Sequence, residues 1–291
     1  MSTIAFVTSQ DWQELTPDDR LAADYLREQG TEVRPVRWDD NEVEWKSFDA
    51  IVLRSVWDYH LRLVEFRDWL ARMDDLGCAL SNPSSLVRWN LDKKYLAQLQ
   101  KQGVPILPTL FLRKRETTQL SALFDRLECT ELVIKPTVSA SAYRLARVSR
   151  QDASDDQVRL DELLKEHDVM AQPFMTELAE HGEWSLVFFS KEFSHAVVKR
   201  AGSGDFRVQA ELGGRTQRRE PSSNLLAEAN RVLQQVDGRP LYARVDLVEV
   251  QGRALLMELE LIEPELFFAS DPESLKRFRK SLRSVLPAML F

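Results

Sequence analysis

The sequence predicts a mixed α/β and α+β molecule built of three lobes, and two observations predict it. Up to about residue 85, short apolar runs and amphipathic stretches follow the order strand, helix, strand, strand, helix, which describes a small α/β lobe. The final third reads instead as strands joined by tight turns, the pattern of a mostly antiparallel sheet. No internal repeat, low-complexity segment or long flexible linker separates these parts, so the lobes are expected to pack together. The expected divisions are 1–88, 89–175 and 176–291, in a chain of 291 residues that is long enough to bury a sizeable core.

In order, Thr3 to Thr8 is a buried strand, and Pro17 opens a helix that runs to about Gln29 and stops at Gly30. Glu32 to Val36 is a second strand, which Pro35 assigns to a sheet edge or a strand end. Phe48 to Leu53 is a third strand, followed by a helix from about Val64 to Leu76 and a turn at Asn82-Pro83. A helix from about Asp92 to Gln102 closes at Gly103. Thr109 to Leu112 and Glu131 to Ile134 are strands around a helix near Gln119 to Leu127, and Val138 to Ala146 reads as a loop. Leu160 to His167 is a helix and Val169 to Phe174 a strand. Trp184 to Phe189 and Phe193 to Lys199 are strands about a turn at Ser190-Lys191, and Asn224 to Val236 is a helix. Leu241 to Val250 and Ala254 to Ile262 are further strands, and Lys276 to Leu286 is the last helix.

Composition narrows the function classes. Hydrophobic residues at 44% and charged residues at 29% are a globular balance, which excludes a disordered chain. A net charge of −7 does not suit coating nucleic acid or an anionic membrane, although a local basic cleft is compatible with it. Ten glycines leave no glycine-rich cofactor loop, and two distant cysteines, Cys78 and Cys129, make no thiolate zinc site and read as reduced thiols. No apolar run approaches the ~20 residues of a membrane span, and the first ten residues lack the features of a signal peptide. A soluble, cytoplasmic protein without nucleic-acid or membrane partners is expected; no oligomeric state is legible.

The most informative stretch is Tyr242 to Pro264. Alternation along a strand puts Glu258 and Glu260 on one face, about 6.5 Å apart. A three-residue turn at Gln251-Gly252-Arg253 pairs Val250 with Ala254, and so sets Asp246 opposite Glu258 and Arg244 opposite Glu260. Three carboxylates then share one patch, and a hard divalent cation with oxygen ligands would neutralise them. Solvated carboxylates, or an ordinary Arg244–Glu260 cross-strand pair, explain the same spacing, and a two-residue turn would put Asp246 opposite Met257. Lys135 ends the apolar run Leu132 to Pro136, and Lys93 stands early in an expected helix; a phosphate would partner either, as would solvent. Lys199 to Arg207 with Gly213-Gly214 is a cationic, glycine-bearing stretch suited to a polyphosphate or a carboxylate, or simply to a surface turn. Arg54 and Asp58 follow an apolar strand and could take the carboxylate and the amine of an amino acid, or pair with each other. His60 and His195 read as structural histidines, and Trp38, Trp45, Trp69 and Trp89 as core or lobe-interface residues.

As an ordered set these features are specific. A DK pair, an IKP strand, a QPF segment, a GDFR loop, a VD pair and an E-x-E strand occur in the order that resembles the ATP-grasp superfamily of carboxylate–amine ligases. The strings RSVWDYH, KPTVSASA, GEWSLVFF, FSHAVVKRAGSGDFRVQ and MELELIEP are similar to the narrower group around the ring-forming D-cycloserine ligase, over nearly the whole chain. The resemblance implies an ATP-grasp fold: an N-terminal α/β (pre-ATP-grasp) lobe, a central lid lobe, and a C-terminal lobe carrying the metal site. It implies that Lys93 and Lys135 reach the phosphates, with Ser139 and Ser141 in the loop that closes over them. Gln172, Pro173 and Phe174 would contact adenine and Glu183 the ribose. Asp246, Glu258 and Glu260 would hold Mg2+ or Mn2+, and Lys199 and Arg207 would steady the phosphate and the reacting acyl group. Two departures stand out: Glu260 replaces the usual Asn, and VSASA replaces a glycine-rich loop.

The implied chemistry is an ADP-forming ligation of a small amino-acid-like substrate through an acyl phosphate, with ATP and Mg2+ as cofactors. An ATP-binding scaffold of the same fold without turnover is the alternative. A metal hydrolase unrelated to ATP would not account for Lys93, Lys135 and the QPF segment in that order.

Overall fold

The computed structural model describes residues 2–202 and 213–285. Arg207 and its GDFR loop lie outside the described residues.

The first lobe contains β1 (Thr3–Thr8), α1 (Pro17–Glu28), β2 (Glu32–Arg37), β3 (Ala50–Leu53), α2 (Leu63–Leu76) and β4 (Leu80–Ser81). Its four strands are parallel in the order β2-β1-β3-β4. The central strands β1 and β3 are almost wholly buried, as an apolar run in a doubly covered parallel sheet must be. Pro35 sits on the edge strand β2, where its missing N–H costs no ladder bond. The Thr16 hydroxyl accepts from the Asp19 N–H and Pro17 occupies the first turn, so α1 starts where the sequence signals it.

The middle of the chain supplies α3 (Ser84–Asn90), α4 (Tyr95–Lys101), β5 (Leu110–Leu112), α5 (Leu120–Arg126), β6 (Glu131–Pro136), β7 (Ala146–Ser149), α6 (Ala153–Glu166) and β8 (Val169–Pro173). Its antiparallel sheet has the order β5-β8-β6-β7. In this part the structure differs from the sequence reading at several points, α6 among them, which starts at Ala153 rather than Leu160. The Ser84–Asn90 helix was not anticipated, nor was strand β7, which extends what read as a loop. Lys93 is not inside a helix but in the short turn between α3 and α4, which frees its ammonium group from the helix-dipole penalty.

The last part contains α7 (Thr176–His181), β9 (Glu183–Phe189), β10 (Glu192–Arg200), β11 (Arg215–Arg218), α8 (Ser223–Gln234), β12 (Tyr242–Val250), β13 (Arg253–Glu260) and α9 (Glu273–Val285). The sheet is antiparallel in the order β11-β10-β9-β12-β13. One face, with Leu186, Phe188, Ala243, Val245 and Leu247, packs on α8 and on Tyr95, Leu96 and Leu99 of α4. Physically, then, α4 belongs to the core of this last sheet rather than to the middle one. The opposite face changes character along its length. Val187, Phe189, Val197 and Tyr242 are apolar and join a core with Phe6, Leu26, Phe278 and Leu282. Further along the same strands and on the same face come Glu183, Ser185, Lys199, Arg244 and Asp246, and the middle sheet covers that end.

Candidate active site

Register decides the chemistry of that face. The β12–β13 turn has two residues, Gln251 and Gly252, so Val250 pairs with Arg253 and Leu247 with Leu256. A regular ladder would next oppose Asp246 to Met257. Instead the register shifts by one residue beside Asp246, and Met257 is the extra residue of a β-bulge. The bulge restores Asp246 opposite Glu258 and Arg244 opposite Glu260. The expected three-residue turn is thus corrected to a two-residue turn plus a bulge, with the same pairing at the acids.

Around these acids the protein assembles its own cations. Asp246 is held by the Arg244 guanidinium at 2.9–3.2 Å, by the Ser185 hydroxyl at 2.6 Å and by Lys199 at 3.5 Å. Arg244 also contacts Glu260 and donates to the Glu265 carbonyl at 3.2 Å. Lys199 lies 2.5 Å from Glu183. Glu258 accepts from Lys93 at 3.1 Å and faces Lys135 at 3.6 Å. Lys93 further donates to the Ser139 carbonyl at 2.5 Å, which ties the turn before α4 to the 138–145 loop.

The electrostatics follow from burial set against these partners. Burial opposes the charge of Asp246, but Arg244 and Lys199 outweigh it and hold the carboxyl well below the usual range. Burial likewise opposes Glu258, and Lys93 and Lys135 keep it ionised below its ordinary value. Glu260 goes the other way: burial, with Asp246 and Glu258 close by, pushes it up to about 8 despite Arg244. Burial raises Glu183, and it lowers Lys135. Lys199, although buried, is held above its ordinary value by Asp246 and Glu183.

These observations test the fit of a divalent cation. Glu258 and Glu260 offer oxygen donors on the cavity wall, which suit a hard cation. Asp246 is the most fully engaged of the three, its oxygens shared among Arg244, Lys199 and Ser185, where Glu258 faces Lys93 and Lys135 and Glu260 faces Arg244. Among the described residues no group of three acidic, His or Cys side chains is arranged to hold a metal by itself. The fit therefore rests on the pair Glu258 and Glu260, with phosphate oxygens needed to complete any coordination.

Two cavities meet over this patch and share Lys135, Leu145, Lys199, Arg244, Glu258 and Glu260. One, about 170 Å3, runs between the two sheets and is walled by Val133, Leu145, Phe174, Leu178 and Met257, with Gln172 and Glu183 at its edge. Its lining is mixed, apolar along those side chains and charged where Lys135, Lys199, Arg244, Asp246, Glu258 and Glu260 reach it, and the QPF segment lines it. The other, about 190 Å3, is polar and is closed by Ser139 to Tyr143, Trp57, Glu263 and Phe267.

Most residues singled out from sequence converge here: Lys93, Lys135, Ser139, Ser141, Gln172, Pro173, Phe174, Glu183, Lys199, Asp246, Glu258 and Glu260. The Ser139 hydroxyl, however, turns back to donate to Pro136, which leaves Ser141 as the hydroxyl residue on the cavity wall. Arg54 and Asp58 line neither cavity and do not pair with each other. Arg54 is buried, donating to Asp19 at 2.7 Å and to the Pro264 carbonyl at 2.9 Å. Asp58 accepts from the Trp38 indole and from Arg62. Sequence reasoning missed Arg244 and Glu263. Arg244 was visible through its register with Glu260, but cross-strand pairing alone does not show that it also clamps Asp246.

Comparison with known proteins agrees with this architecture. Residues 4–82 match the family model of the D-cycloserine synthetase N-terminal domain. Over its length the chain is 32% identical to the cycloserine biosynthesis protein DcsG of Streptomyces lavendulae, covering 97% of this chain and 98% of that one. The crystal structure of D-cycloserine synthetase superposes with a TM-score of 0.88 at 29% identity, covering 98% of this chain and 100% of that one. The D-alanine–D-alanine ligase of Bacillus anthracis shares the fold at 17% identity and a TM-score of 0.67, over 98% and 99% of the two chains. On the strength of the end-to-end match and of two sheets closing over an ionic patch, the chain belongs to the D-cycloserine synthetase family of ATP-grasp ligases, enzymes that form C–N bonds at the expense of ATP.

Proposed function

We propose that this ligase activates the carboxylate of a small amino-acid-like substrate as an acyl phosphate in a Mg2+-dependent step, and then transfers the acyl group to a nitrogen. The observation that carries the reading is the arrangement of Lys93, Lys135, Lys199 and Arg244 around Glu258, Glu260 and Asp246, at the junction of the slot between the two sheets and the polar chamber. The slot would take adenine, with Glu183 toward the ribose, and the chamber the reacting carboxylate.

Glu258 and Glu260 would hold the cation, which would supply positive charge against that of the phosphates. Lys93 and Lys135 would hold the phosphates from the middle-sheet side. A carboxylate oxygen then bonds to the terminal phosphorus as ADP leaves. Arg244, held in line by Asp246 and by the Glu265 carbonyl, faces the chamber where the acyl phosphate would form, with Lys199 beside it. Attack by nitrogen forms the C–N bond and expels phosphate. Preorganised charge does this work without covalent participation of the protein, while the 138–145 loop excludes water that would hydrolyse the intermediate. Likeness over the whole chain to a D-cycloserine synthetase favours ring closure within one substrate molecule.

Exchanging Asp246 or Glu258 for Ala should abolish substrate-dependent phosphate release from Mg·ATP, by at least about a hundredfold. Full turnover in either variant rejects the assignment. Mg·ATP at a hundred times its Kd should stabilise the wild-type fold by about 2.7 kcal/mol, read as a rise in Tm.

A further inference from the structure

Among the described residues that wall the slot between the two sheets, Phe174 is the one aromatic side chain; Val133, Leu145, Leu178 and Met257 are aliphatic. Its ring therefore decides whether a flat ligand finds a stacking partner there. The strand that carries it gives that ring no support. The β8 ladder ends where Pro173 pairs with Leu132, and Phe174 comes just after it and ahead of α7.

Two contacts that lead back to Glu131 hold Phe174 instead. The Glu131 carbonyl accepts from the Phe174 N–H at 2.9 Å. The Glu131 carboxylate accepts from Arg147, at 2.7 and 2.8 Å from Nη2 and at 3.0 Å from Nε. The guanidinium carbon of Arg147 in turn lies 3.8 Å from the centroid of the Phe174 ring. Register brings these groups together. Arg147 on β7 pairs with Val133 on β6, so both share the slot face of the middle sheet, and Glu131 stands two residues along β6 on that same face. Arg147 nevertheless lines neither cavity. It backs the ring rather than the space a ligand would fill.

A half-exposed Arg–Glu pair contributes little to stability, because two long side chains must be ordered to form it. Here the ordering has a second effect. The fork of Nε and Nη2 on one carboxylate sets the guanidinium plane, and a planar cation seated over a ring restrains that ring as a point charge does not. We infer that Arg147, clamped by Glu131, is a positioning residue for the nucleotide, fixing the Phe174 ring as the wall that a purine base meets. The inference rests on the proposed reading of the slot as the adenine site. It adds to that reading two residues, on β6 and β7, that act on the base only through Phe174.

The test measures Mg·ATP binding to the full chain by calorimetry, with no second substrate present. Arg147→Ala should weaken Kd about three- to fivefold, the span of one exposed cation–π contact. In a Phe174→Leu background the same exchange should change Kd less than about 1.5-fold, since the ring it acts on is gone. Arg147→Lys keeps a charge facing Glu131 but not the plane, and should recover less than about half of the loss. A pair that served fold stability alone would weaken binding by the same factor in both backgrounds. Unchanged Kd in Arg147→Ala, equal factors in the two backgrounds, or full recovery by lysine overturns the positioning role and leaves the adenine reading standing. Failure of the wild type to bind Mg·ATP overturns that reading, and the role of Arg147 with it.

Discussion

At His195 a buried imidazole makes two hydrogen bonds that its neutral form satisfies. Nε2 lies 2.9 Å from the Leu266 carbonyl and Nδ1 lies 2.9 Å from the Ser194 hydroxyl, which in turn accepts from Arg277. That network assigns the proton to Nε2. Burial lowers the pKa from 6.5 to about 4, so between these values the unfolded chain binds a proton that the folded chain refuses. Stability contributed by neutral His195 is therefore complete above pH 6.5 and is lost as pH falls toward 4, by about 3 kcal/mol in all. Urea unfolding at pH 7 and pH 4.5 should show a smaller pH-dependent loss in His195→Gln than in the wild type; equal losses would remove His195 as the cause. Arg54 makes a related point. Its place after an apolar strand was legible, but which carboxylate it meets was not, because Asp19 lies 35 positions away on α1 and Asp58 only four.

At the level of the element, Gly182 closes α7 and opens β9 next to Glu183. Its φ of +84° favours glycine, and a Cβ there would stand 2.6 Å from Val198 Cγ1 and 2.7 Å from the Lys199 carbonyl. Gly182→Ala should cost upwards of about 2 kcal/mol and push β9 away from β10, weakening Mg·ATP binding as the Glu183–Lys199 pair separates. Unchanged Tm and unchanged nucleotide affinity would refute this. The hairpin of β12 and β13 carries the opposite lesson. Its acids were placed correctly from sequence, yet by way of the wrong turn. Turn length and bulge both move register by one residue, so a reading that saw only the alternation could not distinguish one longer turn from a tight turn plus a bulge. The bulge has a further use: Met257, displaced from the ladder, lines the slot.

Across the whole molecule, the free edge of β13 shows how the lobes are joined. Backbone groups of Leu256 pair with Pro105 and Leu107. Beyond the bulge, the Tyr95 hydroxyl both donates to and accepts from Leu259, and Asn90 bridges the Leu259 carbonyl and the Leu261 N–H. Asn82 donates to the Tyr242 and Leu261 carbonyls and accepts from the Leu241 N–H. An edge that would otherwise template aggregation is thus sealed by the chain between the first and second sheets. Asn82→Ala strands three buried main-chain groups and should cost about 2–4 kcal/mol, measured as a lower urea midpoint with unchanged slope. A loss under 0.5 kcal/mol would show that water replaces the side chain.

From sequence alone came most of the strands and helices, the face on which the acids lie, and the order of lysines and hinge residues along the chain. Each depends on periodicity or on local order, which a linear string preserves. Only the tertiary structure decided that α4 joins the third sheet, that Arg54 meets Asp19, and that Arg244 clamps two acids at once. Those outcomes depend on which distant surfaces come together to bury apolar area and pair charge, a condition that no local pattern in the chain encodes.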